Sequence, residues 1–368
     1  MPVTAARGLA VVVAGGGTGG HLYPGIAVAR EILSLRPDAR VTFAGTARGI
    51  ESRVVPREGF ELDVIRSGWL KGKSMGERMR GLGLLPVSGA DAWRLLSRRR
   101  PDLVIGVGGY SSGPVVALAA LRGIPTLLLE QNAVPGLTNR LLARLVRAAA
   151  VTYEQTLPYF RGKGLLAGNP VRAEFLRAGS AEAERAPDQA LRVLIFGGSQ
   201  GAHAINVAAV EAAEKLAAAP RPLAITHQTG ERDLAMVREG YRRAGLDARV
   251  EPFLYEMDRE MKAADLVVCR AGATTLAEIT AAGKPSILIP LPTATDDHQR
   301  RNAEVLVRAG AAELIDQQEL GGNRLAVRIF ALAADPAGRR AMGEAARRLS
   351  RPDAAAVIAR RALELAGA

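Results

Sequence analysis

Three glycine-rich segments of the chain have residue types that could hold a phosphate group. The first, AGGGTGGHLYPG, carries Gly15, Gly17 and Gly20 in a G-x-G-x-x-G pattern, and the second is GGSQGAH at 197–203. The third, CRAGATTLAEI, begins at Cys269. Glycine lets backbone N–H groups approach phosphate, and a helix that starts there adds partial positive charge. One such loop is equally compatible with a tight strand-to-helix turn, but three together favour a ligand that carries a diphosphate.

Neither standard nucleotide-binding pattern is complete around the first loop. A dinucleotide site also needs an acidic residue at the end of the second strand. Here the run RVTFAGT ends in Gly45 and Thr46. A P-loop needs Gly-Lys followed by Ser or Thr, whereas Gly20 is followed by His21. Both patterns therefore lose support, and His21 is expected between the glycine loop and a helix.

The elements that must position these loops are short apolar runs separated by helix-length segments. The runs LAVVVAGG, RVTFAGT, PDLVIGVGG and PTLLLEQ are predicted strands of the first half, and LRVLIFGGS, LAITHQTG, ADLVVCRAG and PSILIPL are predicted strands of the second. Continuous apolar runs of this length are typical of parallel strands buried on both faces. We therefore predict an α/β protein with two doubly wound, Rossmann-like domains.

The two halves resemble each other, because GGGTGGH and GGSQGAH each follow an apolar run. The domain boundary is expected near GNPVR, residues 168–172, or in the polar, alanine-rich segment 178–189. We place an N-terminal domain at 1–172 and a C-terminal domain at 173–351. The tail 352–368 has a helical pattern that could pack on either domain, and we expect it on the first.

Composition narrows the class of partner. The chain has 368 residues and a net charge of +12, which favours an acidic partner: nucleic acid, a phosphorylated substrate or an anionic membrane face. Aromatic residues make up only 4%, so we expect no nucleic acid. The single cysteine, Cys269, excludes an internal disulfide and fits a reducing cytoplasm. No apolar run reaches the ~18–20 residues that span a bilayer, and the apolar start is a first strand rather than a signal peptide.

An ordered set of motifs resembles the MurG family of bacterial glycosyltransferases. The motifs are GGGTGGHLYPGIAVA, GVGGYSSGPVVALAA, EQNAVPGLTNRLLA, GNPVR, GGSQGAHAIN, CRAGATTLAEI and DDHQRRNAEVL. The resemblance implies the GT-B fold, two Rossmann-like domains across a cleft, with the sugar nucleotide held mainly by the second. It implies inverting transfer of N-acetylglucosamine from UDP-N-acetylglucosamine to lipid-linked muramyl-pentapeptide, on the cytoplasmic membrane face. It implies no metal and no cofactor, and it allows partners among the cell-wall elongation or division proteins.

The resemblance also assigns residues to the two substrates. Thr18, Gly19 and Gly20 would lie near the donor and acceptor diphosphates, and Ser199 would touch phosphate. Asn132 and Arg172 would reach the donor, and the backbone of Leu254 would read the uracil edge. Ala273, Thr274, Thr275, Leu276, Ala277 and Glu278 would hold sugar and phosphate, with Glu278 on the ribose hydroxyls. Gln299 and Asn302 would bind the hydroxyls of N-acetylglucosamine, as side-chain amides can.

His21 is the candidate general base for this transfer. Inverting transfer needs a base that takes the proton of the acceptor hydroxyl, and the unperturbed pKa of histidine lies near physiological pH. The alternatives are that His21 caps a helix or only binds the acceptor diphosphate. We expect His298 to shape the sugar pocket and His227 to end a strand. The pair Asp296-Asp297 could suggest a metal site, but helix termini and arginines can supply the positive charge.

Two residues depart from the family pattern. Leu129 stands where the family has a histidine before Glu130, and His203 stands where it has an arginine after GGSQGA. If that arginine neutralises phosphate in the family, the diphosphate site here is weaker or is compensated by other residues.

The segment 66–100, which we call the basic flank, has nine Lys or Arg residues against two acidic ones. Apolar residues including Trp69, Leu70 and Met75 lie between the charges, as at an interfacial membrane site. The alternative is a core helix with a solvated face. Three other functions compete with the leading one: a glycolipid-synthesising GT-B transferase, a nicotinamide-dependent dehydrogenase and a non-catalytic membrane-binding module. The missing second-strand acid argues against the dehydrogenase.

Overall fold

The computed structural model describes residues 8–67, 84–176, 190–198 and 200–368. The chain forms two compact units: unit 1 is Met1–Arg172 with Arg351–Ala368, and unit 2 is Ala173–Ser350. In the described residues each unit contains one parallel sheet with cores on both faces. The prediction of two doubly wound, Rossmann-like α/β domains is therefore confirmed.

Unit 1 contains a seven-stranded sheet among its described residues, in the order β3-β2-β1-β4-β5-β6-β7. The strands are β1 Ala10–Gly15, β2 Arg40–Gly45, β3 Glu61–Val64, β4 Leu103–Gly108, β5 Thr126–Glu130, β6 Ala148–Val151 and β7 Gly164–Leu166. The helices between them are α1 Gly19–Leu35, α2 Glu51–Arg57, α3 Leu85–Arg99, α4 Ser112–Leu121 and α5 Leu137–Leu142, with a 3-10 helix at Glu154–Phe160. The strand order reverses between β1 and β4, the position where open α/β sheets bind ligands.

Unit 2 repeats this topology with a six-stranded sheet among its described residues, in the order β10-β9-β8-β11-β12-β13. The strands are β8 Leu191–Phe196, β9 Leu223–Gln228, β10 Ala248–Glu251, β11 Leu266–Cys269, β12 Ser286–Leu288 and β13 Glu313–Leu314. The helices are α6 Ala173–Leu176, α7 His203–Ala217, α8 Leu234–Arg243, α9 Met257–Ala263, α10 Ala273–Ala282, α11 His298–Arg308, α12 Gly322–Ala334 and α13 Pro336–Leu349. Three short 3-10 helices lie at Glu231–Asp233, Thr295–Asp297 and Gln317–Glu319.

Strand β1 shows why the apolar runs are continuous. Val11 and Val13 face a core that they share with α1, whereas Val12 and Ala14 face a second core that they share with α4. Side chains alternate along a strand, so a strand covered on both faces needs apolar residues at every position. All eight predicted strands are present, and every neighbouring pair is parallel.

The C-terminal tail forms helix α14, Ala354–Ala366. It packs on α1 of unit 1, where Ile358 and Ala362 join the core that contains Leu22 and Ile32. The last helix of the chain therefore supports the helix that follows the first glycine loop.

Candidate active site

The first glycine loop connects β1 directly to α1. Thr18 is the N-cap residue of α1, and its carbonyl accepts hydrogen bonds from the amides of His21 (3.2 Å) and Leu22 (3.2 Å). Gly19 and Gly20 are thus the first residues of the helix, at the end that carries partial positive charge. This geometry corrects one sequence expectation and excludes one alternative. His21 lies inside the first turn of α1 rather than before it, and Thr18, not His21, occupies the cap position.

The His21 imidazole is packed against the ends of two neighbouring strands. Its Nδ1 atom lies 3.2 Å from Oε1 of Gln131, which directly follows β5. The Nε2 atom of Gln131 donates to the carbonyl of Val107 in β4 at 3.1 Å. A Cβ atom at Gly108 would stand 2.8 Å from Nδ1 of His21, and the φ of Gly108 is +95°. Only glycine fits at this position, because any side chain would displace the imidazole.

A buried carboxylate, Glu51, lies beneath the same loop. It is 1% exposed and accepts hydrogen bonds from the amides of Gly17 (2.7 Å) and Thr46 (2.8 Å) and from the Thr46 hydroxyl (2.8 Å). Its carboxyl group fills the space that a Cβ atom at Gly16 would need. The second strand ends without the acidic residue that a dinucleotide site needs. The acid that reaches the glycine loop stands at the start of α2 instead, where it holds the loop rather than a ribose.

We expect Glu51→Gln to lower the free energy of unfolding by about 1.5–3 kcal/mol. The variant turns an NH2 group toward one of the N–H donors, so a buried hydrogen bond to a charged acceptor is lost. Urea denaturation measures the change. Glu58→Gln is the matched control, because Glu58 forms a solvent-exposed ion pair with Arg30 and such pairs contribute about 0–1 kcal/mol. Equal loss in the two variants would contradict the assigned role of Glu51.

Asn132 follows Gln131 in the chain and is held by a second buried carboxylate. Glu130, at the end of β5, accepts hydrogen bonds from the backbone amide of Asn132 (3.0 Å), its side-chain Nδ2 (3.2 Å), the amide of Gly136 (3.0 Å) and Nδ2 of Asn139 (2.8 Å). Burial raises the pKa of Glu130, although these hydrogen bonds act to lower it. The neighbouring Leu129 packs in the core of unit 1. An apolar residue therefore fits where the family pattern has a histidine.

Arg172 lies at the same edge of unit 1. Its guanidinium stands 5.6 Å above the ring of Tyr23, two residues beyond His21 in α1. Unit 1 thus brings Thr18, Gly19, Gly20, His21, Asn132 and Arg172 to the ends of its strands or the start of α1.

The second glycine loop follows β8 in unit 2. Ser199 lies outside the described residues, so its predicted phosphate contact stays a prediction. Gln228, at the end of β9, donates to the carbonyl of Gly198 (2.8 Å) and accepts from the amide of Leu254 (3.3 Å). Gln228 is 1% exposed and joins the second glycine loop to Leu254, whose backbone is predicted to bind uracil. The sequence did not predict this contact of Gln228.

The histidines of unit 2 have separate surroundings. His203 opens α7, and its Nδ1 lies 2.9 Å from Oδ2 of Asp233. His227, the next-to-last residue of β9, is fully buried between the hydroxyl of Tyr241 (2.7 Å) and Oδ1 of Asn206 (3.1 Å). Burial lowers the pKa of His227 to about 3, so it is a neutral core residue.

Helix α10 begins at Ala273, as predicted for the third glycine segment. Thr274 and Thr275 lie in its first turn, followed by Leu276, Ala277 and Glu278, of which Glu278 is 7% exposed. Arg270 is not among the predicted site residues. It stabilises the turn before α10 by donating to the carbonyls of Ile289 and Pro290, each at 3.1 Å.

The predicted sugar-binding amides are on α11, which packs against α10. Oε1 of Gln299 accepts a hydrogen bond from the amide of Leu291 at 3.0 Å, and Asn302 is fully buried. His298 lies 2.6 Å through Nδ1 from the carbonyl of Thr295 in the preceding turn. Across the described part of the chain, no group of three or more His, Cys, Asp or Glu side chains could hold a metal ion.

Comparison with known proteins gives a consistent result over both units. Residues 11–151 match the glycosyltransferase family 28 N-terminal domain, and residues 192–358 match the corresponding C-terminal domain. A Pelobacter propionicus protein is 48% identical over 95% of this chain and 97% of its own length. A Geobacter sulfurreducens protein is 48% identical over 95% and 96%. Both are named UDP-N-acetylglucosamine–N-acetylmuramyl-(pentapeptide) pyrophosphoryl-undecaprenol N-acetylglucosamine transferase.

The solved structures agree with the sequence comparison. The crystal structure of Acinetobacter baumannii MurG superimposes with a TM-score of 0.80 at 30% identity, covering 97% of this chain and 99% of that one.

Proposed function

The chain belongs to glycosyltransferase family 28, within its MurG group, and on that premise we propose that it converts lipid I to lipid II. In this reaction N-acetylglucosamine passes from UDP-N-acetylglucosamine to the C4 hydroxyl of the muramyl sugar of undecaprenyl-diphosphate-linked muramyl-pentapeptide. The product serves peptidoglycan synthesis, on which bacterial cell shape and division depend. The observation that carries the proposal is the position of His21, in the first turn of a helix that follows a glycine loop, and the proposal makes His21 the base and the loop a diphosphate site.

The proposed chemical step is an inverting displacement. The acceptor hydroxyl oxygen bonds to the anomeric carbon of N-acetylglucosamine as the bond from that carbon to the diphosphate oxygen breaks. The hydroxyl proton passes to His21, and UDP leaves with the bonding electrons. A positioned base contributes about 10²–10⁴-fold to such a step. The proposal assigns no metal or cofactor, and the amides at the starts of α1 and α10 supply positive charge for the phosphates.

We assign the donor to unit 2 and the acceptor to unit 1. The buried carboxylate of Glu278 can accept hydrogen bonds from two ribose hydroxyls, and the first turn of α10 faces phosphate with Thr274 and Thr275. Gln299 and Asn302 bind the sugar hydroxyls from α11. Ser199 is assigned to phosphate and the backbone of Leu254 to uracil. The family resemblance also assigns Asn132 and Arg172 to the donor.

Isothermal calorimetry with the two nucleotides tests the proposed donor. UDP-N-acetylglucosamine should bind with a measurable heat, and NAD should not, because the carboxylate of Glu51 is engaged by its own loop instead of a cofactor ribose. Binding of NAD without binding of the UDP-sugar would overturn the proposal.

We further propose that the protein binds the anionic cytoplasmic membrane face as a peripheral protein through the basic flank. Of the helices in the described residues, none is long and apolar enough to cross a bilayer. The flank is described only at 66–67 and 84–100. In α3, Trp93 is 55% exposed and Arg122 stands 4.7 Å above its ring, next to Leu121, which is 73% exposed. An exposed indole beside basic residues is typical of an interfacial membrane site.

Some charges of the flank are engaged within unit 1. Arg66 forms a bidentate pair with Asp91, and Arg98 and Arg99 both contact Asp63. The quantitative test uses Lys71, Lys73, Arg78 and Arg80, the four basic residues of the flank that lie outside the described residues.

We expect replacement of Lys71, Lys73, Arg78 and Arg80 by Gln to weaken binding to vesicles of anionic phospholipid by up to about 10³-fold. Each charge near such a surface contributes about 1 kcal/mol. Vesicle co-sedimentation measures the effect, and turnover of a soluble acceptor analogue should survive. The control removes four exposed arginines from unit 2: Arg232, Arg242, Arg243 and Arg259. Equal weakening in the control would mean that net charge, not the flank, attracts the vesicles.

A further inference from the structure

The side-chain amide of Gln131 has only one satisfactory orientation. Its nitrogen end donates to the Val107 carbonyl at 3.1 Å, and its oxygen end faces Nδ1 of His21 at 3.2 Å. The reversed amide would place a carbonyl oxygen against the Val107 carbonyl, and two acceptors cannot form a hydrogen bond. Because Gln131 is 2% exposed, no bulk water could compensate for that loss.

This orientation determines which nitrogen of His21 carries the proton. An amide oxygen only accepts, so the Nδ1 atom that faces it must be the donor. In the neutral imidazole the other nitrogen, Nε2, then holds the lone pair. We propose that Gln131 is a positioning residue that fixes His21 as the Nδ1–H tautomer and thereby makes Nε2 the basic nitrogen.

The surroundings hold both members of the pair in place. The backbone on each side of Gln131 is fixed, because Glu130 accepts the amide of Asn132 and the Glu130 carbonyl accepts the amide (3.1 Å) and the hydroxyl (3.2 Å) of Thr152. The imidazole rests against Gly108, where a Cβ atom would lie 3.0 Å from Cε1. The ring therefore keeps the orientation in which Nδ1 faces Gln131.

As in a catalytic triad, a third group orients the histidine, but the charge of that group is different here. A third group that orients a histidine base is a general feature of such sites, and it is often a carboxylate. Here the third group is a neutral amide. It fixes the tautomer without adding to the negative charge of Glu51 beside the loop that we assign to a diphosphate. The role of Nε2 toward the acceptor hydroxyl rests on the proposed function, whereas the tautomer itself does not.

Nitrogen-15 NMR of histidine-labelled protein tests the tautomer directly, because the chain has only four histidines. The His21 signals, assigned by their loss in His21→Ala, should show a protonated Nδ1 and an unprotonated Nε2 in the native protein above the imidazole pKa. This measurement needs no variant at Gln131. A protonated Nε2 in the native protein would overturn the inference.

Substitution of Gln131 tests the catalytic consequence. Gln131→Leu removes the acceptor, so the Nε2–H tautomer should become populated and kcat should fall by about 10-fold or more, with the KM of both substrates little changed. Gln131→Glu keeps an oxygen toward Nδ1 and should retain the native tautomer and restore part of the activity. The matched control for the NMR is Gln228→Leu, since Gln228 is also buried and also bridges two backbone groups. It should leave the His21 signals unchanged.

The outcomes separate this inference from the proposed function. If Gln131→Leu changes neither the His21 tautomer nor kcat, the positioning role is wrong. If the tautomer changes and kcat does not, His21 is not the base, and the proposed catalytic step fails together with the role of Nε2. If transfer activity is absent in the native protein while the Nδ1–H tautomer is present, the proposed function fails and the structural assignment stands.

Discussion

Replacement of His21 by alanine lowers kcat by about 10²-fold or more and leaves the affinity for UDP-N-acetylglucosamine nearly intact. This result is expected because the variant removes a base that acts in the transition state, while the donor is assigned to unit 2. Steady-state kinetics with each substrate varied in turn give kcat and both KM values. If His21 only binds the acceptor diphosphate, the same change raises the acceptor KM and spares kcat. Normal kcat at saturating acceptor would exclude His21 as the base.

His203→Ala is the matched control for this experiment. His203 opens α7 after the second glycine loop, in the position that corresponds to His21 after the first. Its imidazole contacts Asp233, and we assign it to no proton transfer. We expect the control to change the donor KM more than kcat. A similar loss of kcat in both variants would mean that the loss is not specific to His21, and it would not identify His21 as the base.

Replacement of Glu278 by alanine raises the Kd of UDP-N-acetylglucosamine by about 10- to 150-fold. The ribose would lose a charged hydrogen-bond acceptor, and such a hydrogen bond contributes about 1.5–3 kcal/mol. Calorimetry measures the change. Glu304→Ala on the neighbouring α11 is the control, because Glu304 pairs with Arg300 and Arg301 at the surface. Unchanged donor affinity in Glu278→Ala would remove this residue from the site.

Most strands that the sequence predicted are buried on both faces, although Leu223–Gln228 has Ala224 exposed on one face. Other strands were missed for identifiable reasons. Glu61–Val64 lies at the edge of its sheet and carries two acidic residues, so it has no apolar run. Ala148–Val151 is inside the sheet, but its alanines favour helix by intrinsic propensity, and burial against neighbouring strands overrides that preference.

The glycine loops and His21 could be found because their spacing is local. The residues that hold the loops and His21 in place could not be found from the sequence. Gln131 is 110 positions from His21, and Glu51 is 34 positions from Gly17. Nothing in either local sequence distinguishes a side chain that braces a loop from one that faces solvent. These contacts exist only after parallel strands bring their carboxyl ends to one edge of the sheet.

Transfer of labelled N-acetylglucosamine from UDP-N-acetylglucosamine to purified lipid I tests the central claim most directly. The native protein should place one labelled sugar on each lipid I molecule and release UDP, and His21→Ala should do so more slowly by about 10²-fold or more. Native protein that binds the donor but transfers no label to lipid I would contradict the account.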